Sequence, residues 1–152
     1  MSNTIIKGFG RAYTDATAST GGNGKPEMPP RGGYVLKVIN AGLKEMTYGT
    51  VLRVQFDIDE GEHKGYFRRK FDYNRAYNDR YGNVTNWSGK YDMALPMDKN
   101  DQYYESNMSR LKGFFTVINA CNGTSYSLEN DFDPAQLKGK RFGGIFTYGD
   151  YN

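Results

Sequence analysis

The chain has 152 residues, 24% of them charged, and a formal net charge of +3, a size that suits one domain with its own apolar core. No apolar run approaches the ~20 residues of a membrane-spanning helix, and the first residues lack the apolar stretch of a secretory signal. The single cysteine, Cys121, excludes an internal disulfide, which suits a reducing, cytoplasmic setting.

Residues 1–32 are predicted to form an N-terminal arm that precedes the domain at 33–152. Residues 14–33 are rich in Gly, Ser, Thr and Pro, and such a segment cannot bury enough apolar surface to offset its ordering entropy. We therefore expect a flexible arm or linker. Residues 4–13, just before it, either pair as an added strand or stay loose.

Alternating apolar residues predict three consecutive strands from Gly33 onward. The first is apolar on both faces, and the second alternates strictly, with Leu52 and Phe56 on its buried face and Arg53 on its open face. The third is predicted at about 64–73, with Tyr66, Arg68 and Lys70 on one face. Three such strands in succession form an antiparallel meander.

Helical spacing follows the meander. Met108, Leu111, Phe115 and Ile118 recur at intervals of three or four, and the glycine at 123 supplies a left-handed stop, which predicts one main helix of about 15–20 residues. Cys121 is expected to be buried at its end. A one-turn helix is predicted after Asp133-Pro134, and a final strand at about 141–148.

This order of elements is that of the OB-fold, a five-stranded Greek-key barrel that often binds oligonucleotides. Three stretches, PRGGY at 30–34, FDIDEGE-x-KGYF at 56–67 and LKGKRFGG at 137–144 running on to YGDY at 148–151, resemble a group of phage and prophage proteins found near replication and recombination genes. The resemblance implies a mainly β (α+β), OB-fold-like antiparallel barrel that binds single-stranded DNA in the bacterial host cell. Members of that group continue with another strand, so the domain is expected to lack its final strand or to obtain it from residues 4–13 or from a partner chain.

Residues 64–91 form an aromatic-basic segment with seven Lys/Arg and two acids, a local charge of +5. Cations suit phosphates and aromatic rings suit unstacked bases, so this composition predicts a single-stranded nucleic-acid site. The candidate residues are Arg53, Tyr66, Arg68 and Lys70 on the strands, and Tyr73, Arg75, Tyr77, Arg80, Tyr81 and Trp87 on a loop predicted at 74–92. The alternatives are an ordinary solvated face and loop aromatics that fold back on the barrel, with Trp87 foremost among those expected to be buried.

No pattern in the sequence indicates catalysis, a cofactor or a metal site. The acidic residues Asp57, Asp59, Glu60 and Glu62 lack the calcium-loop spacing and are predicted to form a solvated turn beside a solvent-facing His63. The prediction is a non-enzymatic protein whose partner is single-stranded DNA, with RNA left open. The alternative is a protein-interaction or self-association module, either a homodimer or a partner of phage recombination or replication proteins, because Tyr, Trp and Arg are also enriched at protein interfaces.

Overall fold

Four antiparallel strands form one sheet in the order β3-β2-β1-β4 in a computed structural model, which describes residues 5–17, 32–77 and 86–146. The elements in chain order are α1 (Arg11–Asp15), β1 (Gly32–Met46), β2 (Gly49–Ile58), α2 (Tyr66–Tyr77), β3 (Lys90–Ala94), α3 (Tyr104–Asn122), a 3-10 helix (Pro134–Leu137) and β4 (Arg141–Phe146). No helix among the described residues has the length and hydropathy needed to cross a membrane.

The first two predicted strands are confirmed as a hairpin that places most of its apolar residues on one face; the other face of β1, predicted to be apolar as well, carries the exposed Lys37. Leu36 pairs with Ile58 and Leu43 pairs with Leu52, and all four side chains are buried. A bulge between Val38 and Asn40 shifts the register by one residue. Because side chains alternate along a strand, this shift lets both halves of the long β1 turn apolar residues to the same core.

The main helix is also confirmed, and it covers the apolar face of the sheet. Leu111, Phe115 and Ile118 of α3 are fully buried, and the helix ends at Gly123, which has a left-handed φ of 65°. The predicted one-turn helix is present as the 3-10 helix, where the Asp133 side chain accepts a hydrogen bond from the Ala135 N–H. Cys121 is exposed, contrary to the prediction.

The third strand predicted at 64–73 is wrong, because this segment forms α2. Tyr66, Arg68 and Lys70 do alternate with Phe67, Arg69 and Phe71, but the two phenylalanines are also four residues apart, which suits one face of a helix. The Asp57 carboxylate stabilises the helix start by accepting hydrogen bonds from the backbone N–H groups of Phe67 at 2.9 Å and Arg68 at 3.1 Å.

The meander is nevertheless completed by a strand that begins within the loop predicted at 74–92. Residues Lys90–Ala94 form β3, which pairs with Val51–Gln55 of β2. In the described part of the chain, β3 and β4 are the edges of the sheet. The α+β class and the long helix are therefore confirmed, while the sheet is open and a closed OB-like barrel is not observed.

Part of the predicted N-terminal arm is packed against the domain. Ile6 is buried and exchanges two backbone hydrogen bonds of 2.8 Å with Phe132, and the buried Tyr13 ring meets Phe115 edge-on at 6.4 Å. Residues 5–17 thus form one isolated β-bridge and the short helix α1 rather than a full strand. Residues 18–31 of the predicted arm lie outside the described residues.

The buried tyrosine predicts an alkaline limit to stability. Burial raises the pKa of Tyr13 from 10 to about 12, because the phenolate would lose its hydration. Tyr13 ionises at lower pH in the unfolded chain than in the folded protein. Its contribution to the free energy of unfolding is therefore complete below pH 10 and falls by about 2–3 kcal/mol as the pH rises to 12. Urea unfolding between pH 9 and pH 12 should therefore show a shallower decline for Tyr13→Phe than for the natural chain.

The two proteins share every other titrating group, including Tyr91, whose pKa is also raised by burial. The difference between their pH profiles therefore isolates Tyr13. Parallel profiles would contradict the prediction.

Candidate nucleic-acid interface

The inner face of α2 is fixed by aromatic packing. The buried Phe67 ring meets Phe56 of β2 edge-on at 5.6 Å, and Phe71 lies 5.6 Å from Trp87. The Trp87 indole Nε1–H donates a 2.9 Å hydrogen bond to the Phe56 carbonyl. Because Phe67 and Phe71 pack against Phe56 and Trp87, the opposite side of α2 faces solvent in a defined orientation.

The outer face of α2 carries most of its charge. The helix has four cationic residues and one acid, and Arg68, Arg69, Asp72, Tyr73 and Arg75 are all exposed. Arg68 forms a 3.4 Å ion pair with Asp72 one turn on, and the Arg75 guanidinium lies 5.7 Å from the centre of the Phe71 ring. Surface pairs of this kind are weak, so these arginines can exchange partners at little cost.

The helix separates residues that were predicted to share a strand face. Successive residues on a helix turn by about 100°, so Tyr66 and Lys70, one turn apart, share a face, while Arg68 points to the opposite side. Tyr66, whose ring lies 5.1 Å from Phe67, and Lys70 are both half-buried, whereas Arg68 is exposed. The predicted strip on one strand face is therefore wrong.

Of the residues predicted on the loop, Tyr73, Arg75 and Tyr77 lie on α2, and Tyr73 is 59% exposed. Trp87 is buried in the core, as the alternative interpretation predicted, so it is not accessible to a base. Arg80 and Tyr81 lie outside the described residues.

Arg53 already has a carboxylate partner. Its Nε and Nη2 each lie 2.8 Å from one oxygen of Asp92 on β3, and the two side chains are only 16% and 24% exposed. The hydrogen bond to Asp92 raises the pKa of Arg53, with a smaller electrostatic contribution from the Tyr48 phenol. The charge of Arg53 is thus compensated within the sheet.

The acidic turn after β2 is structural rather than simply solvated, which corrects the prediction for two of its members. Asp57 is the α2 cap, and an Asp59 oxygen lies 2.7 Å from Nε of Arg141 on β4. Within residues 5–17, 32–77 and 86–146, no group of three or more His, Cys, Asp or Glu side chains is arranged to hold a metal ion.

The sheet face opposite α3 is mostly polar, with Val51 buried on it; the sequence predicted this face for Arg53 on β2 but not its continuation across β1, β3 and β4. Its side chains form rows across the strands, because directly paired residues point the same way. The rows are Asp57–Lys37–Arg141, Lys90–Gln55–Asn40, Asp92–Arg53–Gly42 and Ala94–Val51–Lys44. The alternation of Lys37 with buried neighbours was the available signal, but β3 and the register were needed to align the rows.

Comparison of the chain with protein-family models, with curated proteins and with solved structures finds no match. The resemblance to phage single-stranded-DNA-binding proteins therefore stays a prediction.

Proposed function

We propose that this protein is a non-enzymatic, largely sequence-independent single-stranded-DNA-binding protein that engages DNA with the outer face of α2. The observation that carries the proposal is an arginine-rich, solvent-facing helix side with an exposed tyrosine, held in place by buried Phe67 on its other side. The sequence resemblance supports a role in phage or prophage replication or recombination.

The chemistry follows from the side chains present. Arg68, Arg69 and Arg75 offer planar guanidinium groups that suit phosphate oxygens, and Tyr73 offers a ring on which a base can stack. None of these contacts depends on base identity, so the expected selectivity is for unpaired strands rather than for a particular sequence.

The strand order supports an OB-like architecture of which four strands lie among the described residues. The long helix α3 lies between β3 and β4 in the chain, and those two strands are the edges of the described sheet. An added strand joining them would close a five-stranded barrel. These edges, which pair with no further strand in the part of the chain that the structure describes, also favour the second candidate function, self-association as a homodimer, because sheet edges attract other strands.

The test is fluorescence anisotropy with a labelled dT strand of about 20 nucleotides, a duplex of equal length and an rU strand. We expect tight dT binding at low salt and weak duplex binding. Neutralising about five phosphates predicts an affinity fall of about 500-fold between about 50 and about 300 mM salt. Arg68→Gln with Arg69→Gln should weaken dT binding and make this salt dependence shallower.

The matched control is Lys7→Gln with Arg11→Gln. It removes the same charge from exposed side chains of the N-terminal segment, which packs against α3 rather than α2. Fluorescence of Trp87, the one tryptophan of the chain, reports whether α2 remains packed. If the natural chain binds no dT at low salt while Trp87 fluorescence shows that α2 is packed, the proposal is excluded. A molecular mass that rises with protein concentration in the absence of DNA would support self-association.

A further inference from the structure

The polar face of the sheet is a second surface that suits an extended polyanion. In the described part of the chain, α3 and the N-terminal segment pack on the opposite, apolar side. The polar face carries Lys37 and Lys44 on β1, which are both exposed, and Lys90 on β3, which is half-buried. These lysines lie in different rows, so their charges are spread along the strands rather than clustered at one point.

The lysines are also the cations of this face that lack carboxylate partners. Arg53 is paired with Asp92, and Arg141 lies against Asp59 and Glu60. No salt bridge involves Lys37 or Lys44 within the ranges that the structure describes. Their charge is therefore available to an outside anion.

The N-terminus of α2 joins this face. Asp57 lies on this face of β2 beside Lys37, and its carboxylate accepts a hydrogen bond from the backbone N–H of Arg68. The start of α2 therefore lies beside the first row of the polar face, so a strand bound along α2 can continue onto the sheet there.

An exposed ring lies at the end of the sheet where β1 turns into β2. Tyr48 is in the turn between β1 and β2, is 69% exposed, and follows the row that contains Lys44. Tyr48 and Asp57 are nine residues apart along β2, which is about 30 Å at the rise of a strand.

We infer that a single strand bound by α2 continues across the polar sheet face, with its phosphates on Lys37 and Lys44 and a base stacked on Tyr48. This inference rests on the proposed function and adds a path, a direction across the sheet and a length. Binding should strengthen with strand length until the strand spans from α2 to the β1–β2 turn, within the range of about 4–16 nucleotides seen for single-strand-binding domains.

The experiment uses the full chain and labelled dT strands of about 3 to 16 nucleotides at several salt concentrations. Lys37→Gln with Lys44→Gln should make the slope of log affinity against log salt shallower by about 1.4 on long strands, because each lost phosphate contact removes about 0.7. Tyr48→Ala should weaken binding about tenfold on long strands and leave the shortest strands unaffected.

The control pair Lys7→Gln and Arg11→Gln should leave the slope unchanged. Equal binding by the natural chain and by the sheet and Tyr48 variants, with loss only in the Arg68/Arg69 variant, would overturn the inference and leave the proposed function standing. If the natural chain binds no dT of any length, the result contradicts both the proposed function and the path across the sheet. Unchanged Trp87 fluorescence in each variant shows that a loss of binding does not come from unfolding.

Discussion

Phe115→Ala is expected to lower the free energy of unfolding by about 3–5 kcal/mol, the range for removal of a fully buried phenylalanine. Phe115 has no exposed surface, and its ring meets Phe114 at 5.7 Å, Phe132 at 5.1 Å and Tyr13 at 6.4 Å. It therefore connects α3 both to the segment before the 3-10 helix and to the N-terminal segment. Urea unfolding followed by circular dichroism measures the change.

The matched control is Val117→Ala on the same helix. Val117 is 39% exposed, so its truncation creates no cavity and should change stability by less than about 0.5 kcal/mol. If the Phe115 variant were no less stable than the Val117 variant, α3 would not pack on the sheet as described here. Limited proteolysis of the Phe115 variant should also cut earlier within residues 5–17.

Gly89→Ala is expected to destabilise the protein by about 1–3 kcal/mol and to weaken DNA binding at the same time. A Cβ at position 89 would lie 2.5 Å from the Phe56 carbonyl oxygen and 2.8 Å from the Phe67 ring. The carbonyl is backbone and cannot move alone, since the Phe56 N–H also donates to Gly89 at 2.8 Å. The accommodation must therefore displace Phe67 and with it α2.

The control for this change is Gly143→Ala. Gly143 is exposed on β4, and a Cβ there meets nothing within 4 Å, so the variant should be close to neutral. Thermal unfolding and dT anisotropy at low salt should both separate the two variants. Loss of stability without loss of affinity in Gly89→Ala would show that α2 does not carry the DNA site.

Elements with one dominant pattern were predictable from the sequence. The strict alternation from Leu52 to Ile58 has one structural solution, and so has the three-four spacing from Met108 to Ile118. The segment after Gly65 was misassigned because its pattern fits two periods, and a carboxylate ten residues earlier, Asp57, determines which one forms. Short segments of this kind cannot be resolved by periodicity alone.

The candidate site was predictable in composition and not in arrangement. The concentration of arginine and tyrosine in residues 64–91 was visible, and the structure presents Arg68, Arg69, Tyr73 and Arg75 on one exposed helix surface. The burial of Trp87 depends on a contact with a residue 31 positions away in the chain, and the compensation of Arg53 by Asp92 on a contact across 39 positions. The lysines of β1 belong to the candidate surface only because the register aligns them with β2 and β3.

The amino-acid sequence by itself determined the α+β class, the hairpin, the long helix and the basic, aromatic character of the segment after β2, because local periodicity and composition encode these. Only the tertiary structure decided that this segment is a helix, that residues 5–17 join the core and that the sheet is open. Those outcomes rest on pairings between distant residues, such as Ile6 with Phe132 and Asp57 with Phe67, whose free energy no local pattern records.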